Sequence, residues 1–130
     1  MTMTIALWCV LIGAFLPLVW SWYAKFTGNG LKPRDNHNPR EFAEKLDGAR
    51  KRAHWAQLNS LEAFPPFAAA VIIATLVGHI DPARLDQLAI GWVALRSIYG
   101  VLYIADKATL RSTVWGLATA CWVAMFVLSA

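Results

Sequence analysis

The sequence predicts an all-α membrane protein with four transmembrane helices. Hydrophobic residues make up 58% of the 130 residues and charged residues only 15%, which is far from the balance of a soluble globular domain. Four long segments contain at most one Asp, Glu, Lys or Arg each. None of the four has the polar face that a helix of a soluble bundle needs, so we expect each to span a bilayer. The segments are residues 5–24, 55–77, 88–105 and 114–128.

The first apolar segment is expected to remain as a helix and not to be cleaved as a signal peptide. No Lys or Arg precedes it, and its run of about 20 apolar residues exceeds a normal signal core. The helix should end near Phe26. Trp20, Trp22 and Tyr23 lie close to that end and are expected to form an aromatic belt at the membrane interface.

The distribution of cations predicts the orientation in the membrane. Of the twelve Lys and Arg residues, eight lie within residues 25–52, in the first loop and its borders. Lys107 and Arg111 belong to the third loop, whereas the second loop contains only Arg84. The positive-inside rule therefore places loops one and three in the cytoplasm and both termini in the periplasm or lumen. On this interpretation the net charge of +4 indicates topology and not nucleic-acid binding.

Redox and metal chemistry are not expected. Cys9 and Cys121 lie in apolar segments without C-x-x-C spacing, which favours packing roles. His37, His54 and His79 are scattered over loops and helix borders, where we expect surface roles. The sequence has no metal-ligand cluster and no phosphate-binding glycine loop.

The second apolar segment contains one acid at membrane depth. Glu62 lies about 15 Å beyond Arg52 along a helix axis, and Asn59 shares its face because the two are three residues apart. Pro65 and Pro66 follow directly and predict a kink in the helix. Irregular backbone at this depth is tolerated where it lines a protein interior, so Glu62 is expected to point inward.

The third apolar segment supplies a cation and two phenols. Arg96, Tyr99 and Tyr103 have three- and four-residue spacing and line one helix face. Arg96 is about 14 Å deep, close to the depth of Glu62, so we expect these two charges to form a buried ion pair. The whole polar set would suit a small polyanionic, peptide-like ligand; the alternative is a structural network that fixes helix register. Its members are Arg52, Asn59, Glu62, Arg96, Tyr99, Tyr103, Arg111 and Ser112.

These residues resemble the signature segments of the MAPEG family, the membrane-associated proteins in eicosanoid and glutathione metabolism. The resemblance rests on Arg52-Ala53 followed by residues 56–62 and a Pro-Phe close, on Arg96, Tyr99 and Tyr103, and on the Arg111-Ser112 pair. It covers nearly the whole chain. Two positions depart from the pattern: Gln57 stands where many members have His, and Leu58 where some eicosanoid enzymes have Arg. These departures point away from the eicosanoid activities and towards a bacterial-type member.

The resemblance implies a left-handed four-helix bundle that forms one domain over residues 1–130. It also implies a homotrimer with glutathione, the cosubstrate, bound between subunits near the cytoplasmic face. Close to the thiol, a cation would stabilise the nucleophilic thiolate. The residues implied for catalysis are Arg111, Ser112 and Tyr103, and those implied for glutathione binding are Arg52, Asn59, Glu62, Arg96 and Tyr99.

Three functions follow as hypotheses. The leading one is a detoxifying glutathione transferase or peroxidase of a bacterial inner membrane, acting on hydrophobic electrophiles that enter from the bilayer. The second is a non-catalytic membrane scaffold or lipid-binding protein that uses the same trimer. The third is a small proton-coupled exporter built around Glu62.

Overall fold

The computed structural model describes all 130 residues, and its regular structure is entirely helical. Four of its helices are long and apolar enough to cross a membrane, which confirms the predicted all-α membrane fold with a four-helix bundle. A 3₁₀ turn and a short helix lie in the first loop. The elements are α1 (Ile5–Phe26), the 3₁₀ turn (Pro33–His37), α2 (Pro39–Glu44), α3 (Gly48–Val77), α4 (Pro82–Ile104) and α5 (Ala108–Ser129).

The second spanning helix, α3, starts in the cationic stretch and continues without interruption to Val77. Pro65 and Pro66 both lie inside it, so they remove two amide donors without ending the helix. Gly78 follows with a left-handed φ of 73°, a conformation that costs glycine little and commonly ends a helix.

We call the end of the bundle that carries residues 25–52 the basic end. Here three consecutive cations of α3, residues 50–52, each bond to a carbonyl at the C-terminal end of a different helix. Carbonyls in a last helical turn lack intrahelical partners and carry partial negative charge, so cations stabilise them. The three bonds join Arg50 Nε to Ala24 O (2.9 Å), Lys51 Nζ to Glu44 O, and Arg52 Nε to Ile104 O (3.0 Å).

At the opposite end, which we call the distal end, acidic residues accept hydrogen bonds from the N-terminal N–H groups of helices. Asp86, near the start of α4, accepts a hydrogen bond from the backbone N–H of Ala6 at 2.8 Å. Asp81 caps α4 itself through the N–H of Arg84. A carboxylate favours the positive end of a helix. The Asp86 bond also shows that α1 and α4 start side by side and run parallel.

The parallel helices α1 and α4 pack through an aromatic seam in which each helix offers a glycine to a tryptophan of the other. A Cβ built on Gly100 would lie only 2.0 Å from Cζ2 of Trp20, and one on Gly13 would lie 2.9 Å from Cζ3 of Trp92. Phe67 of α3 stacks on Trp92 with ring centroids 3.8 Å apart. The seam consists of Gly13, Trp20, Phe67, Trp92 and Gly100.

The aromatic seam corrects the prediction that Trp20 belongs to an interfacial belt. Trp20 is buried, with 6% of its surface exposed, whereas Trp22 and Tyr23 are exposed. The predicted interfacial belt is therefore wrong for Trp20, because the indole fits against the bare backbone of Gly100. Proximity to a helix end does not specify which way a side chain points.

The link between α4 and α5 is short. It covers residues 105–107, and Asp106 adopts a left-handed φ of 60°, which is uncommon for a residue with a side chain. This sharp reversal brings the first turns of α5 beside the last turns of α4. The final helix begins at Ala108, so Arg111, expected in the third loop, lies in the first turn of α5.

Candidate functional site

The polar residues predicted from the sequence meet in a chain of contacts that crosses from α3 through α4 to α5. We call this chain the polar ladder and define it by Asn59, Arg96, Tyr99, Tyr103 and Arg111. Its central residue, Arg96, is 1% exposed. Arg96 Nη2 donates to Asn59 Oδ1 at 2.8 Å. The same nitrogen lies 3.5 Å from Ser60 Oγ, at the limit of a hydrogen bond.

Beyond Arg96 the polar ladder alternates cations with aromatic rings. The guanidinium carbon of Arg96 lies 4.1 Å from the ring centroid of Tyr99. The rings of Tyr99 and Tyr103 meet edge to face, 5.7 Å apart with an interplanar angle of 84°. Arg111 Cζ then lies 4.3 Å from the Tyr103 ring. Such cation–ring contacts contribute roughly 0.5–2 kcal/mol each and fix the side chains relative to one another.

The predicted ion pair between Glu62 and Arg96 is wrong within the single chain. Arg96 bonds to Asn59, and Glu62 has no salt bridge, since the chain's single ion pair joins Lys45 to Glu41. Matching two depths from helical rise leaves the rotation about the helix undetermined. Ser60 is on the buried face of α3, and Glu62, two residues on, lies about 200° further round. Glu62 is exposed, so its expected inward orientation is also wrong in one chain.

Glu62 instead lines an open cavity beside the polar ladder, which we call the site cavity. Its volume is about 440 Å³. Asn59 and Tyr103 belong both to this cavity and to the polar ladder, so a molecule in the cavity would contact the ladder directly. The remaining lining residues are Trp55 and Leu58.

Two predicted site residues stand apart from the polar ladder. Arg52 Nε is engaged by Ile104 O at 3.0 Å, which makes Arg52 a cap of α4; its terminal nitrogens make no hydrogen bond within the chain. Ser112 is exposed and also makes no hydrogen bond. The amide of Arg111 already donates to Lys107 O, so only its guanidinium is available to a ligand.

Two residues of the site did not emerge from the sequence. Ser60 approaches Arg96, and Trp55 forms a wall of the site cavity. The signal for Trp55 is its spacing of four from Asn59, which places both on one helix face. No comparable signal existed for Ser60, because a serine in an apolar helix commonly bonds its own backbone.

The electrostatics of the site are incomplete in one chain. Arg96 Nε is buried with no hydrogen-bond partner, and Glu62 faces the site cavity without a cation. The chain's one ion pair, between Lys45 and Glu41 at α2, is exposed and does not contribute to the site. There the hydrogen bond and charge of Lys45 lower the pKa of Glu41, and Glu41 in turn raises the pKa of Lys45. Buried polar groups usually find partners. Glu62 is exposed and is therefore open to a ligand or a neighbouring subunit, whereas Arg96 Nε is enclosed within the chain.

Comparison with known proteins identifies the family of the chain. The MAPEG family model matches residues 5–130, essentially the whole chain. Neither the curated proteins nor the solved structures give a match. Members of this family are membrane proteins of eicosanoid and glutathione metabolism, and they generally use glutathione. With four membrane-crossing helices and a match over 5–130, the chain belongs to the MAPEG family.

Proposed function

We propose that this protein is a membrane glutathione transferase or peroxidase that acts on hydrophobic electrophiles arriving through the bilayer. One observation carries the proposal: the polar ladder ends with Arg111 held over the Tyr103 ring, and Tyr103 also lines the open site cavity. A fixed cation is thereby held beside a cavity that also presents a carboxylate and an amide. A peptide thiol has groups that match each of these.

The site cavity and its surroundings suit the peptide part of glutathione. The unpaired carboxylate of Glu62 can accept hydrogen bonds from an ammonium group, and Asn59 offers an amide next to it. The terminal nitrogens of Arg52 are free for a carboxylate, which guanidinium groups bind well. Arg96 and Tyr99 have an indirect role in binding. Arg96 holds Asn59 in place, and Tyr99 supports Arg96.

In the proposed mechanism Arg111 stabilises the thiolate form of the bound thiol. A nearby positive charge lowers a thiol's pKa, and the thiolate is the nucleophile. The Tyr103 hydroxyl and Ser112 are the proposed hydrogen-bond donors to the sulfur. The thiol proton passes to water at the open cavity. The thiolate then attacks an electrophilic carbon and forms the new carbon–sulfur bond, and the leaving group departs with its electron pair. Arg111 keeps its charge throughout, because a guanidinium does not deprotonate at working pH.

We further propose a homotrimer in a bacterial inner membrane, with both termini periplasmic and the basic end cytoplasmic. The orientation follows from the cation distribution. Exposed Glu62 supports an assembly, because a charge left towards lipid is costly. A neighbouring subunit would cover the site cavity and exclude lipid from it.

Substitution of Arg111 tests the proposed chemistry. Arg111→Ala should lose most of the rate of conjugating a generic aromatic electrophile, while glutathione binding falls much less, because the interaction strengthens as the sulfur becomes charged. Lys107→Ala is the matched control, since it removes a cation immediately before the same helix. Rates are compared at equal oligomer content. Equal rates for wild type and Arg111→Ala would contradict the proposal.

The unpaired Glu62 in an open cavity is the observation that favours the third hypothesis, a proton-coupled exporter. An exporter should lose proton-coupled transport in Glu62→Gln and should not need Arg111. A non-catalytic scaffold or lipid-binding protein should bind no glutathione at all. Glutathione binding to purified protein, followed by thiolate absorbance on mixing, separates the transferase from the other two functions, and the transport assay with Glu62→Gln separates those two.

A further inference from the structure

A second cavity lies at the basic end, on a different face of α3 from the site cavity. We call it the collar cavity. Its volume is about 510 Å³, and residues of α1, α2 and the first four turns of α3 line it. His54, Gln57 and Leu61 of α3 line the collar cavity, whereas Asn59 and Glu62 line the site cavity. Only Leu58 belongs to both, so the proposed glutathione site does not account for the collar cavity.

The collar cavity carries two cations that have no acidic partner. Lys25 and Arg40 line it, and neither forms a salt bridge. The cavity has one carboxylate, Glu44, which also has no salt bridge. Two further cations reinforce the positive field, because Arg50 donates to the carbonyl of Lys25 and Lys51 to that of Glu44.

The lining changes from polar to apolar along α3. His54 lies at the loop side, and its Nδ1 is buried without a hydrogen-bond partner. Leu58 and Leu61 follow one and two turns further into the apolar segment and are 44% and 52% exposed. His54 and Leu61 are about 10 Å apart along the axis. The headgroup layer of one leaflet is about 5–8 Å thick, so the cavity is long enough to reach from phosphate level into the acyl chains.

We propose that the collar cavity binds an anionic phospholipid whose headgroup carries hydroxyl groups, such as phosphatidylglycerol. Lys25 and Arg40 hold the phosphate, since basic pockets between spanning helices bind anionic headgroups and guanidinium groups bind phosphate bidentately. Glu44 accepts hydrogen bonds from the headgroup hydroxyls. Leu58 and Leu61 support the upper part of an acyl chain.

Native mass spectrometry of the full chain, titrated with phosphatidylglycerol or phosphatidylcholine in mild detergent, tests this site. Wild type should retain phosphatidylglycerol in preference to phosphatidylcholine. The double substitution Lys25→Ala with Arg40→Ala should weaken retention of phosphatidylglycerol about thirtyfold, since each cation near the surface contributes about 1 kcal/mol. Retention of phosphatidylcholine should change little, because its quaternary ammonium group neutralises its phosphate.

The matched control is Lys32→Ala with Arg34→Ala. It removes the same two residue types from the basic end, outside the collar cavity, and should leave lipid retention unchanged. Equal losses in the two double variants would overturn the proposal, as would equal retention of both lipids by wild type. Wild type alone therefore tests the site even if the cavity variant folds poorly.

Two other occupants are distinguished in the same experiment. Displacement of the lipid by added glutathione would assign the collar cavity to the thiol site and overturn the proposal. Lipid bound to monomers but absent from oligomers would show that a second copy covers the cavity, with the same consequence. Retention by the oligomer in the presence of glutathione supports the lipid site.

Discussion

Trp92 and Arg96 lie one turn apart on the same buried stripe of α4, with 2% and 1% of their surfaces exposed, yet their surroundings differ. Trp92 stacks flat on Phe67 and presses against the backbone of Gly13. Arg96 has one short hydrogen bond, one ring contact and a buried nitrogen without a partner. The recorded contacts of Trp92 are ring and backbone packing within one chain, whereas Arg96 is a charged group held by polar contacts that leave Nε unpaired.

The aromatic seam and the polar ladder therefore have different roles in the protein. The aromatic seam fixes the spacing of α1, α3 and α4 through van der Waals contact, which close packing makes sensitive to single atoms. The polar ladder uses that fixed frame to hold costly groups at membrane depth. Proteins tolerate such groups where they serve binding or catalysis. Breaking the seam should therefore damage folding, whereas breaking the ladder should damage the site first.

The largest effect on stability is expected at the aromatic seam. Gly100→Ala places a methyl group 2.0 Å from the Trp20 ring, which neither the indole nor the backbone can avoid without separating α1 from α4. We expect a loss of about 3 kcal/mol, the upper range for overpacking, in reversible unfolding from mixed micelles. Gly116→Ala is the control, because nothing lies within 4 Å of its added Cβ. That variant should gain about 0.5 kcal/mol from helix propensity, and a similar loss in both would contradict the seam.

A double-mutant cycle on the polar ladder should show a smaller effect. Asn59→Ala combined with Arg96→Met should give a coupling energy of about 2 kcal/mol, as expected for a hydrogen bond to a charged group. The same cycle with Glu62→Ala in place of Asn59→Ala should give less than about 0.5 kcal/mol in monomeric protein. Stronger coupling to Glu62 than to Asn59 would contradict the arrangement described above.

Glu62→Ala and Asn59→Ala should also differ in their effect on the assembled protein. If a neighbouring subunit supplies the partner for Glu62, Glu62→Ala should lower oligomer content measured by native mass spectrometry, while monomer unfolding is unaffected. Asn59→Ala should instead lower the stability of the monomer and leave oligomer content unchanged, because its partner Arg96 is in the same chain.

The smallest effect is expected at the end of the polar ladder. Tyr103→Leu removes the ring beneath Arg111 and should cost about 0.5–1 kcal/mol in unfolding, because this cation–ring contact is only partly buried. Tyr103→Phe keeps the ring and should leave stability within about 0.3 kcal/mol of wild type. If the two variants are equally stable, Arg111 is not held by the ring face.

The spacing of polar residues predicted most of the candidate site. Arg96, Tyr99 and Tyr103 share a face because helical periodicity relates positions three and four apart, and the structure joins all three in the polar ladder. Arg111 joined them only because the link from α4 reverses sharply at Asp106. The role of Arg52 as a cap of α4 depends on the place where another helix ends, which no spacing within α3 encodes.

Hydropathy predicted the four spanning helices, charge distribution predicted the basic end, and motif spacing gave the family resemblance. All three signals could be read directly because they are properties of neighbouring positions along the chain. Only the tertiary structure decided that Asn59 and not Glu62 bonds to Arg96, and that Trp20 is buried against Gly100. Both outcomes depend on how each helix is rotated about its axis relative to its neighbours. That rotation is set by the fit of side chains between helices, and hydropathy carries no record of it.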